Sequence, residues 1–153
     1  HWENLQSNPS SPNPSGHTML DGHTEATDLD RTEENRDLFR SFTEEVLLYG
    51  KLSQLDRYID SGGYVEHNPH MSDGLPALRD VLSKTERAGR YEKLHRLLAE
   101  GSFVLSVCEG HTDGDHVSFY DLFRVAGGKI VEHWDTVDPV PPRSEWVNDN
   151  GKF

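Results

Sequence analysis

The stretch Val117–Pro139, VSFYDLFRVAGGKIVEHWDTVDP, consists of two apolar-rich runs joined by Ala126-Gly127-Gly128-Lys129. Val, Phe, Tyr, Ile and Trp favour the pleated surface of a strand, and a Gly-Gly pair supplies the positive φ angles of a tight turn, so the stretch reads as a β-hairpin. Asp121, His133 and Asp135 interrupt it. Ionisable groups in buried strands are costly unless they are paired or used, which makes these three the first candidates for chemistry.

The turn decides which way they face. A two-residue loop sets Asp121 opposite Trp134 and away from Asp135, whereas a three-residue loop with a bulge at Gly128 sets it opposite His133. The second register is favoured, because glycine suits the bulge position. It places Phe119, Asp121, Phe123 and Val125 on one face with Val131, His133, Asp135 and Val137, since side chains alternate along each strand.

Upstream of the hairpin, Tyr91 to Ala99 and Phe103 to Glu109 read as two more strands, with Glu100-Gly101 and Asp113-Gly114 as turns. Four hairpin-linked strands predict an antiparallel meander. Before it the period is helical. Asp30 and Glu33 fit a capping box, and Leu38, Phe39, Phe42, Val46 and Tyr49 recur at helical spacing until Gly50. A second helix is expected from Lys51 to Ile59, ended by Ser61-Gly62-Gly63, and a third opens at Asp73-Gly74-Leu75-Pro76. Between them Tyr64-Val65-Glu66-His67-Asn68-Pro69 is a brief strand halted by proline. Helices first and strands later is an α+β order. Three helices on the concave face of a strongly curved, mostly antiparallel sheet predict a cone with a closed end.

The 153 residues suit one domain, placed at 31–140. Residues 1–30 are polar and rich in Pro, Ser and Asn, and read as an extended arm or linker; 141–153 read as an extended tail. His1-Trp2-Glu3-Asn4 echoes His133-Trp134-Asp135-Thr136, either by chance or because the arm is the tail of a preceding copy of the domain. A formal charge of -12, from 27 acidic and 15 basic residues, argues against nucleic acid or an anionic membrane surface as partner and leaves a small organic ligand. A single cysteine, Cys108, excludes an internal disulfide and is compatible with a reducing cytoplasm. There is no run of ~18 apolar residues to span a membrane.

The runs YVEHNPHMSDGLPAL (Tyr64 to Leu78), LHRLLAEGSFVLSV (Leu94 to Val107) and FYDLFRVAGGKIVEHWD (Phe119 to Asp135) resemble the SnoaL-like polyketide cyclase family of the nuclear transport factor 2-like (cystatin-like) superfamily. The likeness is to its subgroup of predicted aldol-condensation enzymes and spans about Thr32 to Pro139. It implies the same helix and strand order, and a cofactor-independent lyase or isomerase. It also implies that Asp135 is the acid/base carboxylate and that His67 lines the pocket. Asp121 stands where the cyclases place a histidine, a departure from their pattern. The superfamily commonly dimerises through the outer sheet face, where Tyr120, Leu122 and Trp134 are expected to lie.

The chemistry follows from these positions. A carboxylate low in an apolar cone is poorly solvated, so the pKa of Asp135 is expected to rise, with Asp121 pushing the same way. Asp135 would take a proton beside the carbonyl of a small hydrophobic substrate. His67 or His95 would hold the developing oxyanion, and His133, Phe119, Phe123 and Tyr64 would line the site. Glu66, Arg124 and Glu132 read as interface or solvent charges. His17, His23, His70, His111 and His116 fall in predicted loops, and only His133 and Asp135 have the short spacing of a metal site, so no metal and no cofactor are expected. A binding module without turnover, and an epoxide hydrolase needing an Asp-Arg-Asp relay, are the rivals. Arg124 has the wrong parity for the relay.

Overall fold

A computed structural model describes residues 11–148 and 152–153, the side chains of 85–89 excepted. The elements are α1 (Thr32–Phe42), a π-helical turn (Thr43–Leu48), α2 (Leu55–Tyr58), β1 (Val65–Glu66), α3 (Leu75–Ala88), β2 (Gly89–Glu100), β3 (Phe103–Thr112), β4 (Asp115–Ala126) and β5 (Lys129–Pro139). The five strands form one sheet in the order β1-β5-β4-β3-β2. β2 to β5 make the antiparallel meander, and β1 adds in parallel at the β5 edge, with Val65 beside Glu132 and Glu66 beside His133.

The apolar stripe of α1 packs onto one face of this sheet. Phe39 and Phe42 are buried against Phe123, with ring centroids 4.7 and 5.8 Å apart, and Tyr58 closes on Phe42 edge-on at 5.7 Å. Leu55, Ile59, Leu75, Leu78, Val104, Val125 and Ile130 complete the core. Aromatic pairs at such offsets add to the burial of their area. This inner face is therefore the one carrying Val104 on β3, Phe123 on β4 and Ile130 on β5.

The helices depart from expectation in three places. The first does not run evenly to Tyr49: from Thr43 to Leu48 it widens to a π turn, closed by the Tyr49 amide donating to the Glu44 carbonyl at 3.0 Å. The extra residue swings Tyr49 outward, where it is 73% exposed. The capping box of Asp30 and Glu33 does not form: a 3-10 turn, Leu29–Arg31, leads into α1, the Thr32 hydroxyl donates to the Leu29 carbonyl, and Glu33 pairs with Arg36. The second helix is only a 3-10 turn, Leu52–Gln54, running into the single turn of α2.

The hairpin register differs from both alternatives. Gly127 and Gly128, at φ +58° and +76°, form a two-residue turn that pairs Ala126 with Lys129. Val131 then bulges out of the ladder, so that Arg124 pairs with Glu132, Phe123 with His133 and Asp121 with Asp135. The expected bulge exists, but at Val131 and not at Gly128. The outcome for the faces is as the favoured register has it, except that Ile130 replaces Val131 beside Val125. Two further irregularities in β2, between Tyr91 and Lys93 and between Leu94 and Arg96, bend the sheet around the helices.

Residues 11–28 contain no helix or strand but are docked. The Asn13 amide donates to the Glu66 carbonyl at 2.7 Å, and Ser102 donates its amide to the Thr27 carbonyl at 2.7 Å. The repeat-like His1-Trp2-Glu3-Asn4 lies outside the described residues. The tail is not wholly extended: it makes a 3-10 turn at Arg143–Glu145, and Phe153 stacks on His95 at 4.3 Å. Among the described residues no helix is long and apolar enough to cross a membrane.

Candidate active site

The inner face of β4 and β5 gathers a buried polar cluster beside the core. Asp121 and Asp135 face each other across the two strands, and Phe123 stacks on His133 at 4.1 Å. His133 has carboxylates on both sides: Nδ1 lies 3.0 Å from both oxygens of Glu66, and Nε2 lies 3.3 Å from Asp121 Oδ1. Carboxylates at both nitrogens favour a proton on each, the imidazolium form. Burial works against that charge, but Glu66 and Asp121 overcome it and raise the His133 pKa well above its ordinary value.

Glu66 is fully buried. Burial alone would raise its pKa, yet the His133 cation and the donors around it hold the carboxyl below its ordinary range. Those donors are the Tyr64 hydroxyl at 2.8 Å and the backbone amides of His67 and Asn68 at 3.1 and 3.0 Å. Asp121 is 1% exposed; Oδ1 accepts the Tyr91 hydroxyl at 3.0 Å, and Oδ2 is buried with no hydrogen-bond partner among the described residues. Asp135 accepts the Asn68 side-chain amide on both oxygens, at 2.9 and 2.8 Å. Burial pushes the Asp135 carboxyl above its ordinary value, with His133 pulling it down and Asp121 pushing it up again. That is the direction expected for a group that both takes and returns a proton.

Phe119, stacked on Tyr91 at 4.2 Å, and Phe123 wall this cluster, and Tyr64 supports it through Glu66. Two expected members do not belong to it. His67 sits on the opposite side of the sheet, stacked flat on Trp134 at 4.5 Å with Nε2 3.0 Å from Glu132 Oε1. The reason is alternation along β1: Glu66 faces His133, so His67 cannot. His95 is likewise outside, because the irregularity between Leu94 and Arg96 breaks its parity with Leu97; it bonds Glu109 at 2.7 Å and carries Phe153.

Glu66 and Glu132, which read as interface or solvent charges, are instead buried, at 0% and 2% exposure. Glu66 is the central carboxylate of the inner cluster, and Glu132 is held on the outer side by Arg124 at 2.6 Å. Asn68 and Tyr91 were not anticipated as site residues. Arg124 points away from the two aspartates, as its parity predicts, and the ring beside Asp121 is that of His133. Asp121, His133 and Asp135 each place a nitrogen or oxygen within 4.8 Å of the others, but a doubly protonated His133 ring has no lone pair to give an ion.

Solved structures share this arrangement of helices and sheet. An NTF2-like protein of unknown function from Mesorhizobium loti superposes with a TM-score of 0.62, at 22% identity over 76% of this chain and 97% of its own. The chain has the NTF2-like fold. A proposed ketosteroid isomerase from Kribbella flavida matches with a TM-score of 0.62 at 16% identity, over 78% of this chain and 91% of its own. IdmH, a proposed polyketide cyclase from Streptomyces antibioticus, matches with a TM-score of 0.57 at 18% identity, over 69% and 92%. No protein-family model and no curated protein matches the sequence. Identities this low carry the NTF2-like fold and not the reaction, which has to be argued from the cluster itself.

Proposed function

We propose that this NTF2-like chain is an acid/base enzyme acting next to the carbonyl of a small hydrophobic substrate, in an aldol, cyclisation or isomerisation step. The observation that carries the reading is Asp135: a carboxylate on the inner face whose pKa is raised by burial, beside a carboxylate oxygen, Asp121 Oδ2, that has no partner among the described residues. Asp135 removes the α-proton. Asn68, donating to both its oxygens, fixes its orientation. His133, kept cationic by Glu66, supplies positive charge beside the site where the enolate oxygen develops. Phe119 and Phe123 exclude water. No group beyond the chain's own side chains is needed for that proton transfer.

The reading predicts exchange of the α-protons of cyclic and aryl ketones in D2O, followed by NMR. Asp135→Asn should slow that exchange by about 10²-fold or more, the usual weight of a positioned general base, with an unchanged circular dichroism spectrum. Equal exchange in the two proteins rejects Asp135 as the base. Tight binding of such ketones with no exchange in either protein favours the non-catalytic module, in which Asn68 merely occupies Asp135. The epoxide hydrolase reading has less support, since Arg124 is committed to Glu132 on the other side of the sheet.

A further inference from the structure

On the outer side of β1 the arm brings a second set of ionisable residues together. His17 and Asp21, four residues apart, lie against His67. Each imidazole is held the same way. His67 Nε2 lies 3.0 Å from Glu132 Oε1, and His17 Nε2 lies 3.2 Å from Asp73 Oδ2. Both Nδ1 atoms then turn towards Asp21, at 2.8 Å from Oδ1 for His67 and 3.9 Å from Oδ2 for His17. A carboxylate behind the remote nitrogen is what orients a metal-ligating histidine and strengthens it as a donor.

The ligand atoms of His17, Asp21 and His67 lie within 4.8 Å of one another. Ligands at about 2.0–2.2 Å from a tetrahedral ion are about 3.4 Å apart, between the two Nδ1 distances given above. His67 is 1% exposed and fixed against Trp134, while His17 and Asp21 are 33% and 45% exposed and reachable by an ion from solvent. A further oxygen is at hand, the Thr18 carbonyl, 2.8 Å from His67 Nδ1; an ion here takes the place of the Nδ1 proton that this carbonyl and Asp21 accept. Two surface hollows meet at His17 and His67, so the place is open to solvent.

We propose that His17, Asp21 and His67 form a site for a divalent transition ion of the zinc class, which clamps the N-terminal arm to the outer side of β1. Two imidazoles and a carboxylate suit zinc, and leave a coordination position for water or the Thr18 carbonyl. The clamp holds the strand whose inner residue, Glu66, orients His133.

The test is calorimetric titration of the full chain with ZnCl2 at pH 7.5, read beside the histidine ring signals in its NMR spectrum. One equivalent should bind, shifting the His17 and His67 signals and leaving those of His133 in place. His17→Ala and Asp21→Asn, both at half-exposed positions, should each weaken binding at least tenfold, and Asp135→Asn should not. The absence of a stoichiometric site, unchanged affinity in both arm variants, or loss of binding in Asp135→Asn with His133 signals moving would each overturn the proposal.

Discussion

Replacing Glu66 by glutamine isolates the pair on which the inner cluster is built. The carboxylate takes four groups of donors: Tyr64, the amides of His67 and Asn68, and His133. A glutamine offers a single acceptor oxygen and turns its amide nitrogen towards one of those donors. Breaking a buried ion pair from one side costs about 3–5 kcal/mol. At roughly 2–4 °C per kcal/mol for a chain of this size, the melting temperature should fall by about 10 °C near neutrality. The loss has a definite pH shape. Glu66 is lowered from 4.5, so its contribution is complete above that value and fades as pH falls through the folded pKa. His133 is raised above 6.5, so its contribution is complete below that value and fades as pH rises through the folded pKa. The difference between the two proteins should therefore be largest between pH 4.5 and 6.5. Thermal melts across pH, with the His133 ring followed by NMR, make the comparison. A variant that melts with the unaltered protein, or in which His133 titrates as before, refutes the pairing.

Three further outcomes follow from the packing. Gly22 has φ +102°, and a Cβ there would lie 2.6 Å from the Trp134 ring and 2.9 Å from His67 Nε2, so Gly22→Ala should lift the arm off the sheet, seen as faster amide exchange over residues 18–25; unchanged exchange there would contradict the docking. Phe42→Ala removes a fully enclosed ring between Tyr58 and Phe123 and should cost about 3–5 kcal/mol in urea melts. Burial and the nearby Asp121 push the Cys108 thiol up to about 12. It should resist iodoacetamide at pH 8 in the native protein and react once urea unfolds the chain, whereas rapid native alkylation would place it elsewhere.

The strand order and the sheet were legible because turns are written in short-range chemistry: Glu100-Gly101, Asp113-Gly114 and Gly127-Gly128 each mark a reversal that the backbone makes. The facing of Asp121, His133 and Asp135 was legible too, although the register behind it was not, since nothing in Val131 distinguishes it from a paired residue. His67 and Glu66 were exchanged for a different reason. Tyr64 and His67 both read as pocket residues, yet residues three apart in a strand face opposite ways; the alternation places Glu66 with Tyr64. β1 pairs only Val65 and Glu66, too short for composition to show its buried face, and its orientation comes from the parallel pairing with β5. The outer cluster was hidden because His17 and Asp21 sit in an arm without regular structure, where contacts distant in sequence, with Glu66, Asp73, Trp134 and Ser102 among them, define their position.

The claim beneath the proposed chemistry is that the last strand holds a carboxyl group poised to exchange its proton inside the fold. A carbon-13 NMR titration of the Asp135 carboxyl measures it directly. The account predicts a midpoint above 3.8. A midpoint at or below 3.8 would mean that Asp135 is an ordinary ionised side chain and that the inner cluster only supports the fold.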